Sequence, residues 1–303
     1  MLMKTIYPDY YPLFHCIAGR CRHSCCIGWE IDIDADSLAR YDAMPGPLGE
    51  RLRRQIDRTG SEAHFRLTEE DRCPFLNGKG LCELILERGK GALCNICADH
   101  PRFRNAFSDR VEMGLGLCCE AACALILNRE KPVHLICPGG MPDPSQDVEE
   151  NAFFRWRAGL LALAQDRTLP VERRMDHILE SCGMQPLPKP AFWLPVYRRL
   201  ERLDAAWTAI LERSCAPENG NAISSFHLEN LLVYFLYRHL PAGFDAGDLP
   251  LYTAFSVLSA RMIAFLCRDP AELPEIARLY SAEIEYSDQN VDMLLDAIYE
   301  SEE

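Results

Sequence analysis

The stretch FHCIAGRCRHSCCIGWEIDID, residues 14–34, places four thiols within eleven residues and then turns to strict alternation. Cys16, Cys21, Cys25 and Cys26 stand in a segment of low helical propensity, punctuated by Gly19 and Gly28. Metal ligands are often presented in this way, on a loop that wraps an ion or cluster and is ordered by it. Adjacent Cys25 and Cys26 diverge in an extended backbone. One of them is therefore expected to be a ligand, or the pair to straddle different atoms of a cluster. From Trp29 to Asp34 apolar and acidic residues alternate, as in a short half-exposed strand.

Cysteine also sets the organisation of the rest of the chain. Of 15 cysteines in 303 residues, all but Cys182, Cys215 and Cys267 lie before residue 140. The others are Cys73, Cys82, Cys94, Cys97, Cys118, Cys119, Cys123 and Cys137. A secreted disulfide scaffold is short and follows a signal peptide. This chain is long, and Met1 to Phe14 holds no apolar run of signal length, so a cytoplasmic location is expected. In a reducing cytosol clustered thiols mostly bind metal or do redox work. No membrane insertion is expected, because the best apolar stretch, Leu249 to Cys267, is interrupted by Pro250, Ser256, Ser259 and Arg261. The net charge of −13 lacks the cationic footprint of a nucleic-acid binder. It is compatible with a basic, lysine-bearing protein partner, although solubility alone calls for such charge.

Composition changes near residue 140. The reading is an α-dominated α+β fold, with an irregular cysteine-rich region (1–140) packed on a C-terminal helical domain (145–303), joined through the turn Pro138 to Pro144. In the first part Asp34 or Asp36 is expected to cap a helix through Tyr41, and Leu48 to Arg58 to form another. Ala63 to Leu67 alternates again, Leu81 to Glu87 makes one or two helical turns, and Phe103 to Phe107 and Arg110 to Leu117 make two strands before a helix over Cys119 to Asn128. In the second part helices are expected over Glu149–Gln165, Val171–Ser181, Tyr197–Arg213, Ser224–Leu240, Leu249–Cys267 and Glu272–Glu300, the last with a break near Ser287. In Ser224–Leu240, Phe226, Leu231, Tyr234, Phe235 and Leu240 mark an apolar stripe, and Glu229, Asn230 and Arg238 a polar side.

The thiols fall into groups: the loop at 16–26, Cys73 with Cys82, Cys94-x2-Cys97, and Cys118-Cys119-x3-Cys123. They outnumber the ligands of one tetrahedral zinc and are drawn from separate segments. An iron–sulfur cluster, or more than one metal, suits that surplus better than a single zinc finger. His15 and His23 are further candidate ligands. Haem attachment, the C-x3-C-x2-C triplet of radical S-adenosylmethionine enzymes, ferredoxin spacing, H-E-x-x-H, the P-loop and G-x-S-x-G are all absent. Gly114-Leu-Gly116 is too short for a dinucleotide fingerprint.

The run Phe14-His-Cys16, Cys21, Cys25-Cys26, Gly28-Trp29 and Ile31-Asp-Ile-Asp34 resembles the flagellin lysine N-methylase family. The likeness continues through Cys73-Pro-Phe-Leu76, Leu81-Cys82, Cys97-x2-His100-Pro-Arg102, Leu117-Cys118-x-Glu120, Leu228-Glu-Asn-Leu231 and Ile284-Glu-Tyr-Ser287-x2-Asn290. Small cysteine-cluster proteins that chelate zinc or iron are more distantly similar. The resemblance implies an S-adenosylmethionine-dependent methyltransferase acting on lysines of flagellin, with a bound iron–sulfur cluster, 4Fe–4S in type, or zinc in its place. Its ligands are then sought among Cys16, Cys21, Cys25, Cys26, Cys73, Cys82, Cys97 and Cys118. Cys94, Cys119, Cys123 and Cys137 stand as additions to the family's set, either ligands of a second metal or, the favoured reading, buried small hydrophobes.

A methyl transfer of this kind needs the lysine as its free amine, whereas a lysine in water titrates at roughly pH 10.4. Glu229, Glu285, Tyr234 and Tyr237 are the candidate proton acceptors. Arg102 is a candidate to pair a carboxylate of the cosubstrate or to offset the charge of a thiolate-bound cluster. Asn230 and Asn290, in the helical signatures, are further cosubstrate candidates. Rival readings are a non-enzymatic metal or iron–sulfur carrier, which needs no large helical half, and an oxidoreductase, which lacks a nicotinamide or flavin motif.

Overall fold

Strand β1 (Lys4–Pro8) is the first element of the computed structural model, which describes residues 3–141, 147–214 and 223–302. The strands that follow are β2 (Ile56–Asp57), β3 (His64–Phe65), β4 (Arg102–Ala106), β5 (Arg110–Leu115) and β6 (Leu135–Ile136). Before residue 140 the α-helices among the described residues are α1 (Ala35–Ala43), α2 (Gly46–Gln55), α3 (Glu83–Arg88), α4 (Asn95–Asp99) and α5 (Glu120–Leu127). Beyond it come α6 (Val148–Ala164), α7 (Val171–Ser181), α8 (Pro190–Tyr197), α9 (Ala205–Arg213) and α10 (Ser225–Ala246). The chain ends with α11 (Leu249–Leu266), α12 (Leu273–Tyr280), a π-helical turn at Ser281–Glu285, and α13 (Asp288–Glu300). The fold is α-dominated α+β. The turn expected at Pro138 to Pro144 lies partly outside the described residues, and Cys215 wholly so.

Two compact units divide the chain, one of His15–Phe103 and one of Met1–Phe14 with Arg104–Glu303. This division does not follow the change of composition near residue 140, because α5 packs on α10 and α12.

In the His15–Phe103 unit, Asp34 caps α1 through a 2.9 Å bond from Ser37 N–H. α2 stops short of the expected Arg58, because Ile56 and Asp57 leave the helix to pair antiparallel with Phe65 and His64. The alternating stretch makes a single bridge, Asp32 to His64, with Ile33 N–H donating to Ala63 and Phe65 N–H to Ile31. Ile31, Ile33 and Phe65 thereby share a core with Tyr41, Leu52, Phe75 and Leu84.

In the other unit the sheet runs β4-β5-β1-β6, with β1 parallel to β5 and antiparallel to β6. α10 and α11 pack along each other and form the centre of the helical part. Most of α10 is buried, Glu229 (1% exposed) and Asn230 (2%) included, so its expected polar side faces protein partners and not water. α10 runs past Leu240 to Ala246 and ends on Gly247, whose φ of 72° is the left-handed C-terminal conformation. Of the helix expected over Tyr197–Arg213 only α9 forms, and Tyr197 is the last residue of α8. Between them the backbone N–H groups of Leu203 and Asp204 donate to the Glu283 carboxylate at 2.8 and 2.6 Å, and Asp204 then caps α9. α11 is long and apolar enough to cross a membrane, but 67% of it is buried within the protein's own core.

Candidate functional site

The thiol-bearing loops of the His15–Phe103 unit are drawn together by backbone pairing. Cys73 N–H donates to Cys26 O at 2.8 Å and Gly28 N–H to Asp71 O at 2.9 Å, which fastens the first loop to the second cysteine segment. Residues 73–83 fold back on themselves, with a bridge between Leu76 and Cys82, a bond from Glu83 N–H to Phe75 O, and Gly80 at φ 70° in the turn. Cys94 stands at the start of α4, whose first N–H, on Asn95, donates to Asp34 Oδ2 at 2.9 Å.

Five thiols end within electrostatic reach of one another: Cys26, Cys73, Cys82, Cys94 and Cys97. A hydrogen bond from Cys97 lowers the Cys94 pKa to about 7, and the same bond together with burial drives Cys97 up. Cys25 likewise lowers Cys26 to about 7. Burial pushes Cys73 up to about 12 and raises Cys82. Four of the eight expected ligands are therefore brought together, and Cys94, read from sequence as filler, joins them. The Cys94-x2-Cys97 spacing was the signal for it.

Cys25 joins this group through its bond to Cys26, while Cys16 accepts from Ala18 N–H at 3.4 Å and Cys21 donates to His23 O at 3.2 Å. Cys118 belongs to the other unit. The donor chemistry of the five thiols fits a thiolate-bound cluster or zinc. Among the described residues, however, no group of three or more His, Cys, Asp or Glu side chains is gathered as for a metal ion. Cys94 bonds Cys97 and Cys26 bonds Cys25, while Cys73 and Cys82 accept from backbone N–H groups. Arg102 Nη1 lies 3.5 Å from the Ala98 and Asp99 carbonyls at the end of α4, a position that favours a cation.

A second constellation lies in the larger unit, where β5 leads through Gly116 into α5. The Glu285 carboxylate, at the end of the π-helical turn, is wholly buried. It accepts from Tyr234 Oη at 2.9 Å, faces Arg238 Nε at 3.0 Å, and lies 2.7 Å from His239 Nε2. Burial alone would raise the Glu285 pKa, but the Arg238 charge and the His239 bond outweigh it and hold it low. Burial lowers the His239 pKa despite Glu285. Tyr234 Oη also accepts from Leu117 N–H at 3.2 Å and from Arg238 Nη1 at 3.0 Å, so one hydroxyl ties the β5–α5 loop to α10. The Arg238 guanidinium lies 5.0 Å from the centre of the Tyr286 ring, and the Tyr286 hydroxyl bonds the Cys118 thiol, which burial pushes up to about 11. π-helical turns of this kind often mark functional sites. Arg238, His239 and Gly116 were missed in the sequence, where an Arg-His pair on a helix is unremarkable.

The remaining candidates are held in the framework. Glu229 accepts from Arg167 Nη2 at 2.9 Å and Arg174 Nη1 at 2.6 Å. Asn230 donates to the carbonyls of Leu127 and Arg129, at 3.0 and 2.8 Å. Asn290 accepts from Glu201 N–H and donates to the carbonyls of Glu201 and Glu283. Tyr237 donates to Met113 O at 3.1 Å.

Fold and site together define an α-dominated α+β protein with one thiol-rich unit and one buried charge network. The chain is similar to a lysine-N-methylase of Salmonella typhimurium, 26% identical over 135 residues, which cover 40% of this chain and 32% of that one. A lysine-N-methylase of Salmonella choleraesuis gives the same figures. The flagellar biosynthetic protein FliU of Salmonella muenchen is 26% identical over 127 residues, 40% of this chain and 75% of its own. The chain thus spans about a third of the length of the two lysine-N-methylases it matches. No protein-family model and no solved structure matches it.

Proposed function

We propose that this chain methylates lysine side chains of a protein, with S-adenosylmethionine as donor and flagellin as acceptor. The thiols of the His15–Phe103 unit are the proposed seat of an iron–sulfur cluster, with zinc as the alternative. The observation that carries the reading is the similarity to proteins named lysine-N-methylase, over 40% of the chain. The proposed location is the cytoplasm, where the thiols stay reduced.

The metal's part is to order the loops that bear Cys26, Cys73, Cys82, Cys94 and Cys97. Two-electron methyl transfer needs no redox partner, so an ordering role is sufficient. In the other unit Glu285 is the carboxylate kept ionised, while Glu229 is occupied by two arginines. Tyr234 and Glu285 support the acceptor site by fixing Arg238 and the β5–α5 loop.

Anaerobic purification with iron, sulfide and zinc analysis, followed by transfer of labelled methyl to purified flagellin, tests both parts. Iron and sulfide in similar amounts together with lysine methylation are expected. Zinc alone would remove the cluster. Bound metal without methyl transfer would sink the enzyme reading in favour of a metal carrier.

A further inference from the structure

Tyr286 is 52% exposed, yet the groups packed around it are buried: the Glu285 side chain wholly, and Tyr234 to 2% exposure. A side chain arriving from solvent therefore meets the Tyr286 ring, and not Glu285 or Tyr234. Three polar atoms converge beside that ring on bare backbone. A Cβ on Gly116 would stand 2.8 Å from the Tyr286 hydroxyl, 3.0 Å from Arg238 Nη1 and 3.3 Å from Cys118 Sγ.

We propose that the half-exposed ring of Tyr286 receives the acceptor lysine side chain, and that Arg238 is the positioning residue that sets this ring beside Gly116 and Cys118. The inference rests on the methylase reading and gives it a place in the chain. A lysyl stem of four methylenes lies well on an aromatic face. Because the ring already faces the Arg238 guanidinium, a second cation there is disfavoured and the free amine is preferred, Glu285 offsetting part of that field. In the transfer the amine lone pair forms the N–C bond to the methyl carbon of a sulfonium donor. The C–S bond breaks, its electron pair stays on the sulfur of a neutral thioether, and the surplus proton on nitrogen passes to water.

The test uses the full chain with labelled S-adenosylmethionine and purified flagellin, in wild type, Tyr286→Ala, Tyr286→Phe, Gly116→Ala and Arg238→Lys. Tyr286→Ala is expected to raise KM for flagellin about 10-fold, a loss of about 1.4 kcal/mol, with KM for the donor and the melting temperature little changed. Tyr286→Phe keeps the ring but loses the hydroxyl that bonds Cys118, and raises KM for flagellin less than Tyr286→Ala does; Gly116→Ala follows Tyr286→Ala, and Arg238→Lys raises KM for flagellin. Should Arg238→Lys fail to fold, the exposed Tyr286 variants decide. Binding of flagellin, read by titration calorimetry without turnover, should also weaken about 10-fold in Tyr286→Ala. If wild type methylates flagellin while Tyr286→Ala and Gly116→Ala keep its KM, the acceptor enters elsewhere and this inference alone falls. If wild type neither methylates nor binds flagellin, the methylase reading falls and takes the inference with it.

Discussion

Asp34 Oδ2 accepts a 2.9 Å hydrogen bond from Asn95 N–H, while its other carboxylate oxygen caps α1 through Ser37 N–H. One side chain thus starts two helices that are distant in sequence, and the second of them carries Cys94 and Cys97. Burial would raise the Asp34 pKa, but the two N–H donors outweigh it and hold it low. Asp34→Ala is expected to cost about 1–2 kcal/mol for the α1 cap and a similar amount for α4. A depressed carboxyl pKa stabilises above the unfolded value and is lost as pH falls through the folded one. The melting gap between wild type and Asp34→Ala should therefore be full at pH 6–8 and close only below about pH 4. A gap unchanged at pH 3 would contradict the capping account.

The thiol arrangement makes a sharper prediction about ligands. Cys94→Ser and Cys97→Ser should each lower metal per chain markedly after anaerobic purification, whereas Cys118→Ser should leave it near wild type. Cys26 and Cys94, with pKa values held near 7, supply thiolates near neutrality. Metal loading is accordingly expected at lower pH than for ordinary thiols, whose pKa is about 8.5. Full metal content in Cys94→Ser, measured with iron and zinc together, would return that residue to a packing role.

Glu229 separates a structural from a catalytic reading. Glu229→Gln weakens the hold on buried Arg174, whose side chain is 4% exposed, and on Arg167. Breaking a buried pair from one side costs about 3–5 kcal/mol. Urea unfolding should show that loss, while methyl transfer per folded molecule stays within about twofold of wild type. A variant of wild-type stability with no transfer would restore Glu229 as a base.

Helices were legible in the sequence where periodicity is strong, as at Val171–Ser181, and where a break falls on a capping residue, as at Ser287 before α13. Periodicity could not show that Glu229 and Asn230 face buried arginines and carbonyls, because a polar stripe looks the same toward water or toward a partner. β1 and β6 went unannounced for a related reason. They are short, and the pairing of Tyr7 with Ile136 that makes them strands spans most of the first half of the chain. Cys94 reads as core filler because it is fully buried. Its closeness to Cys73 and Cys82 comes from the packing of separate segments, which no local pattern announces.

The buried network around Glu285 carries the last prediction. Glu285→Gln removes the charge that balances Arg238, whose side chain is only 10% exposed, and about 3–5 kcal/mol should be lost at pH 7. Because the folded Glu285 pKa is depressed, its contribution is present above the unfolded value of about 4.3 and disappears as pH falls through the folded value. The stability difference should therefore hold constant from pH 6 to 8 and shrink below about pH 4. Removing both charges, as Glu285→Gln with Arg238→Met, should recover part of the loss, since neither partner is left charged and buried alone. A double-mutant cycle in urea measures that coupling directly, with an expected interaction of about 1–3 kcal/mol. Additive losses in the cycle would mean that Arg238 is held by Tyr234 and Tyr286 without help from Glu285. The positioning role of Arg238 would then have to stand on its contact with the Tyr286 ring.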